Sequence, residues 1–134
     1  MSRRPPVRVV PLDGGAVALL QPWPDAATLA AAWAVTVGAR DEPAAHAGVA
    51  HLLEHLAFKG DASLDASGVT RAFGAIGADA NAFTAEDRTV YHATVLAEHA
   101  AALERTLPRL LRPALREEDV RLEREVVLEE IAAD

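Results

Sequence analysis

The 134-residue chain contains no cysteine. That absence removes any disulfide framework and any thiolate metal site, leaving histidine and carboxylate as the side chains able to hold a transition metal. It also fits a reducing compartment. No apolar run approaches the roughly 20 residues a helix needs to cross a bilayer. Arg3 and Arg4 are followed by no hydrophobic segment before Pro11, so neither an export signal nor a membrane partner is expected. Those two arginines are too few for a polybasic arm, and the net charge of −7 disfavours nucleic acid, because phosphate binding needs clustered Lys and Arg. A cytoplasmic location is the expectation. There is no internal repeat and no low-complexity linker. Hydrophobic residues make up 51% of the chain, but many are alanines, which suffice for one modest core and not for two domains.

What is present is the run His51-Leu52-Leu53-Glu54-His55. On a helix advancing about 100° per residue, the two histidines lie roughly 40° apart and one turn up, so both rings can reach a single divalent ion. Glu54 flanks the same face and is a candidate base. In helical projection Val49, Leu52, Leu53 and Leu56 gather on one arc, whereas His51, Glu54 and His55 share the other with Ala47 and Phe58. The histidines therefore stand off the main apolar stripe. The structural alternative is a pair of histidines on a solvated face, and five residues alone do not exclude it.

A second stretch discriminates among carboxylates. Residues 120–131 contain no Gly or Pro and carry apolar residues at helical spacing. Val120, Leu122, Val126, Val127 and Ile131 span one arc; Glu123 and Glu130 fall within it, while Glu125 and Glu129 lie outside beside Arg121. A carboxylate on a buried stripe is costly unless it is paired or bound to metal, so Glu123 and Glu130 require an explanation. Glu117, Glu118, Glu125 and Glu129 read as solvated-face residues.

These residues resemble the pitrilysin (insulinase) zinc peptidases, a family that includes the mitochondrial processing peptidases. That family has an inverted His-x-x-Glu-His motif and a glutamate ligand about 75 residues beyond the second histidine; Glu130 follows His55 by 75 positions. The resemblance runs through residues 51–60, through Asn81-Ala82-Phe83-Thr84 with Thr89 and Tyr91 after it, and through residues 124–131, covering almost the whole chain. It implies one zinc ion held by His51, His55 and Glu130, with Glu54 as the catalytic base and Glu123 as the auxiliary glutamate behind the ligands. It also implies that Asn81, Ala82, Phe83 and Thr84 lie on a strand edge that receives an extended peptide as an added strand. Asn81 reads equally well as an ordinary turn residue, and Phe83 and Tyr91 as core. His46, His92 and His99 match no ligand position and read as surface or packing histidines. S-ribosylhomocysteine lyase shares the inverted motif on a related fold, but it completes its metal site with a cysteine, which this chain lacks.

The expected fold is α+β, an antiparallel sheet with helices on one side, forming the N-terminal portion of a processing-peptidase-like domain. Residues 7–11 and 16–21 form a hairpin around Asp13-Gly14-Gly15. Residues 28–39 suit a strand or an Ala-rich helix, and the resemblance favours the strand. Residues 41–45 turn into the metal helix, which ends near Lys59-Gly60. A helix over 64–73, opened by Asp61 or Ser63, ends at Gly74 and Gly77. Strands at 78–84 and 88–96 pair around Ala85-Glu86-Asp87, a helix follows over 98–110, and Pro113 separates it from the helix carrying Glu130.

The chemistry implied is hydrolysis of extended peptides. Three protein ligands leave a position for water, whose pKa zinc lowers to about 7, and Glu54 moves the proton. Family members are built from repeated domains of about 200 residues or more by the same resemblance, so residues 1–134 are expected to be the zinc-binding part of a truncated domain. The partner is then a downstream domain or a subunit of the same family. The competing expectation is a non-catalytic binding or assembly subunit of a peptidase complex.

Overall fold

The structure is a computed structural model that describes residues 4–133; of the two N-terminal arginines, Arg3 lies outside them. The architecture is α+β, as expected. Strands β1 (Arg8–Pro11) and β2 (Val17–Leu20) pair antiparallel as a hairpin of their own, with Gly14 and Gly15 both at positive φ in the turn. A second, three-stranded antiparallel sheet has the order β3-β5-β4, with β3 at Thr28–Val35, β4 at Asp79–Thr84 and β5 at Thr89–Leu96.

The central strand β5 alternates in burial, and its inward residues Tyr91, Ala93 and Val95 form the floor of the core. Helices α1 (Val49–Ala57), α2 (Ala66–Gly74) and α3 (Ala100–Thr106) contribute Ala57, Val69, Phe73 and Leu103 to the same cluster, which Leu107 and Leu110 complete. The helices thus cover one face of the sheet. Helix α4 (Glu117–Ala133) packs on α1 and turns Glu123 and Val127, one helical turn apart, inward.

Several local expectations need correction. Strand β3 ends at Val35, and beyond it Gly38 lies so close to the turn at 85–88 that an added Cβ would lie 2.3 Å from the Ala85 carbonyl oxygen. Helix α2 is opened by Asp65, which accepts from the Gly68 N–H at 2.7 Å, and not by Asp61 or Ser63; Asp61 instead closes its own turn onto Ser63 and Leu64. The helix expected over 98–110 is divided into α3 and a 3-10 turn at Leu107–Leu111, since Pro108 cannot donate to a helical ladder. Helix α4 starts three residues early, with Glu117, Glu118 and Asp119 at the positive end of its dipole.

The arcs read from sequence are only half buried. On α1, Leu56 is buried but Val49 and Leu53 are exposed. On α4, Glu123 and Val127 are buried whereas Leu122, Val126 and Ile131 are exposed. Tyr91 lies in the core. Phe83 does not: it points to the opposite face of the sheet, 47% exposed, tilted against the ring of His92. The alternation of β4 forces this, since Ala82 and Thr84 take the helix-facing positions.

Candidate metal centre

The first half of the site is made by α1. Its nine residues begin at Val49, preceded by Gly48, whose φ of 92° places it in the left-handed region. The Glu42 carboxylate accepts from the Gly48 N–H at 2.7 Å and from the Ala50 N–H at 2.6 Å, satisfying donors that a helix start leaves open. The helix ends at Ala57, and the turn that follows it passes through Gly60, where φ is 110° and an added Cβ would meet the Leu64 carbonyl oxygen at 2.1 Å. Between these ends His51 and His55 project side by side, their rings edge to face with centroids 4.8 Å apart.

The second half comes from α4. His51 Nε2 and His55 Nε2 are 3.2 Å apart, and Glu130 Oε2 lies 3.3 Å from the first and 3.5 Å from the second. These three atoms are nearly equidistant. A tetrahedral zinc site with ligand bonds of about 2.0–2.1 Å has ligand-to-ligand edges of about 3.3–3.4 Å, so the triangle has the dimensions of one face of such a site. The donor set agrees as well, because zinc takes imidazole nitrogen and carboxylate oxygen together, two histidines and a glutamate among its catalytic ligand sets. Glu130 is half exposed, so its place on the apolar arc does not bury it; the last turn of α4 leaves it at the open side of the site.

Behind the triangle, His55 Nδ1 lies 3.1 Å from Glu123 Oε2. A carboxylate only accepts, so Nδ1 carries the proton and Nε2 presents its lone pair to the triangle. Burial pushes the Glu123 carboxyl up, but hydrogen bonds from Lys59 and His55, with the Lys59 charge, outweigh that and hold it below the ordinary value.

Glu54 lies on the same helix as the histidines but outside the triangle. Its Oε2 accepts from the Thr84 hydroxyl at 2.5 Å, a contact joining α1 to the end of β4. Thr84 therefore has a side-chain role at this site that its expected place on a peptide-binding edge did not suggest. Of its neighbours, Ala82 is partly buried, while Asn81 and Phe83 are exposed on the outer face; Asn81 Oδ1 accepts from the Ala82 N–H at 2.8 Å. Among the described residues β4 pairs only with β5, which leaves its other edge unpaired. The residue that sequence reasoning missed outright is Lys59, whose Nζ is 2.6 Å from Glu123 Oε1. Its position four residues after His55 was the available signal. His46 is exposed, and His92 and His99 are partly buried away from the triangle. No helix is long and apolar enough to cross a membrane among the described residues.

Known proteins resemble this chain in sequence and in fold. An uncharacterized zinc protease of Mycobacterium leprae is 46% identical over 99 residues, which are 73% of this chain and 22% of that protein. An uncharacterized zinc protease of Mycobacterium tuberculosis is 44% identical over the same length, covering 73% of this chain and 23% of its own. The crystal structure of a protease from Helicobacter pylori superposes with a TM-score of 0.87 at 27% identity, over 96% of this chain and 31% of that one. The chain thus spans about a fifth of the length of the curated relatives it matches. Residues 17–133 match the model of the insulinase family, peptidase family M16, and the chain belongs to that family.

Proposed function

We propose that this chain forms the metal-binding part of a zinc endopeptidase acting on extended peptides. The observation that carries the reading is the triangle of His51 Nε2, His55 Nε2 and Glu130 Oε2, with edges of 3.2, 3.3 and 3.5 Å. Three electron-rich atoms converging at that distance need positive charge among them. A zinc ion held there supplies Lewis acidity, the property that makes water nucleophilic near neutral pH and polarises a carbonyl.

The chain's own residues then have defined tasks. His51, His55 and Glu130 hold the ion, and Glu123 keeps the His55 ring turned with Nε2 inward. Glu54 accepts a proton from the attacking water as the carbonyl carbon is attacked, and delivers it to the amine nitrogen as the C–N bond breaks. Thr84 fixes one Glu54 oxygen and leaves the other for that transfer. The unpaired edge of β4, with Asn81, Ala82, Phe83 and Thr84, receives the peptide backbone as an added strand, which gives affinity with little demand on side chains. A downstream domain or a partner subunit of the same family supplies the opposing wall, in keeping with relatives several times longer. A cytoplasmic location belongs to the same reading, supported by the absence of cysteine.

The test uses quenched fluorescent peptides, with this chain alone and with a longer relative-length form of it. Chelator-sensitive cleavage is expected, and Glu54→Gln should reduce kcat by at least about a hundredfold while stoichiometric zinc is retained. Stoichiometric zinc with no chelator-sensitive cleavage in either form would favour the non-catalytic assembly role. Failure to bind zinc would end the peptidase reading.

A further inference from the structure

Lys59 is the sole lysine among the 13 basic residues of the chain. Its ammonium group sits 2.6 Å from Glu123 Oε1, with the lysine side chain one-third exposed and that of Glu123 only 11% exposed. The other oxygen of the same carboxylate, Oε2, faces His55 Nδ1 at 3.1 Å. One carboxylate therefore bridges a cation and an imidazole.

The backbone that carries Lys59 is itself anchored. Lys59 N–H donates to the Leu56 carbonyl at 3.0 Å, and its own carbonyl accepts from Arg116 Nη1 at 3.3 Å. Arg116 Nη2 reaches the carbonyls of Asp61 at 2.8 Å and Leu64 at 3.3 Å, while Ala114 N–H donates to the Gly60 carbonyl at 2.9 Å. Between those two anchors Leu115 takes φ of 50°, a left-handed conformation that a non-glycine residue adopts only when its neighbours are held. The segment leaving α1 and the segment entering α4 are thus tied together directly below the site. Lys59 extends that tie into the ligand sphere.

We infer that Lys59 is a positioning residue for the metal site: it pins the Glu123 carboxylate so that its second oxygen holds the His55 ring with Nε2 directed at the ion. The inference rests on the proposed zinc reading of the site and deepens it. With Lys59 replaced by a neutral side chain, the carboxylate keeps one anchor instead of two and is free to rotate off the ring. His55 then loses the partner that fixes its tautomer, and groups of this kind behind a metal ligand govern affinity by roughly 10–100-fold. A merely structural role, compensating a buried carboxylate, predicts something different: a loss of thermal stability with no change in zinc affinity. Arg at 59 keeps the cation and can bridge to Oε1, whereas Met keeps the volume and loses the charge.

The experiment measures zinc affinity of this chain by competition with a chromogenic chelator for the parent, Lys59→Met and Lys59→Arg, with thermal melts of the zinc-free forms alongside. Lys59→Met should weaken zinc binding by at least about tenfold, and Lys59→Arg should restore it to within about threefold of the parent. Parent-like affinity in Lys59→Met, or an equal loss in Lys59→Arg, overturns the inference and leaves the metal site standing. A parent chain that binds no zinc overturns both. Should Lys59→Met fail to fold, the single lysine permits a direct measurement on the folded parent. Its Nζ resonance should be protected and assignable by 15N NMR and should move or vanish in Glu123→Gln; a rapidly exchanging Nζ insensitive to that change overturns the proposal.

Discussion

Thr84 and Glu54 are separated by 30 positions, yet one hydroxyl and one carboxylate oxygen meet at 2.5 Å. The contact restrains the proposed base without touching a ligand, so the two functions can be separated. Thr84→Val is expected to leave zinc affinity within twofold of the parent and to lower kcat for peptide cleavage about tenfold, since a hydrogen bond to a charged group contributes about 1.5–3 kcal/mol. Zinc titration and steady-state kinetics on one preparation check both halves. A second residue-scale expectation concerns Asp61, which accepts from the Ser63 N–H and hydroxyl and from Leu64 N–H and pairs with Arg109. The Ser63 backbone hydrogen bond first, then the Ser63 hydroxyl, draws its pKa from 3.8 down to about 2. Folding therefore gains from ionised Asp61 above its unfolded value near 4, and that gain disappears as pH falls through about 2. Melting temperature against pH should show a steeper fall between pH 4 and 2 in the parent than in Asp61→Asn; equal slopes would contradict it.

Helix α1 is short for a segment that carries two proposed ligands and the proposed base, and isolated helices of its length are marginal in water. Its order comes from its ends and its packing. Glu42 holds two backbone N–H groups at the start, so Glu42→Ala should cost about 1–2 kcal/mol in urea denaturation, at the upper end of capping effects because the acceptor is charged. Zinc affinity should fall with it. At this scale the sequence was informative where a residue's backbone demand is intrinsic: Gly60 in the turn after α1, the glycines of the first hairpin, and the turn between the strands at 78–84 and 88–96 were all legible. It was less informative where coverage decides. The α1 arc correctly set the histidines apart from Leu56, but a wheel carries no record of which flank receives a neighbour, and Val49 and Leu53 are exposed. The same applies to β4, where the strand was expected but the parity that is buried was not legible, so that Phe83 was misassigned to the core. Glu42, Lys59 and Thr84 went unread as partners because each acts through a contact that only the folded chain creates.

At the scale of the whole molecule, the triangle of His51, His55 and Glu130 joins α1 and α4 across the sheet-forming segment between them, so an ion held there would be thermodynamically linked to the fold. Free zinc at one hundred times its dissociation constant should stabilise the native state by about 2.7 kcal/mol, and a chelator should remove that increment. His51→Ala, His55→Ala or Glu130→Ala should each abolish the zinc-induced rise in Tm, whereas Glu129→Ala, on the solvated side of α4, should not. Differential scanning fluorimetry with and without zinc distinguishes these outcomes. Fold class, and the grouping of His51, His55 and Glu130, were expected from the family resemblance and the fixed separations of its motifs. The triangle's dimensions were not, because they depend on the crossing of two helices that are remote in sequence.

That remoteness has a consequence in time as well as in space. On a translating ribosome His51 and His55 emerge 75 or more residues ahead of Glu130, an interval of about 4–15 seconds at ordinary synthesis rates of about 5–20 residues per second. Throughout it the proposed site consists of His51 and His55 alone, a chelate with two of its three teeth. On the proposed zinc reading, three-point coordination of the ion waits until α4 has been made and docked.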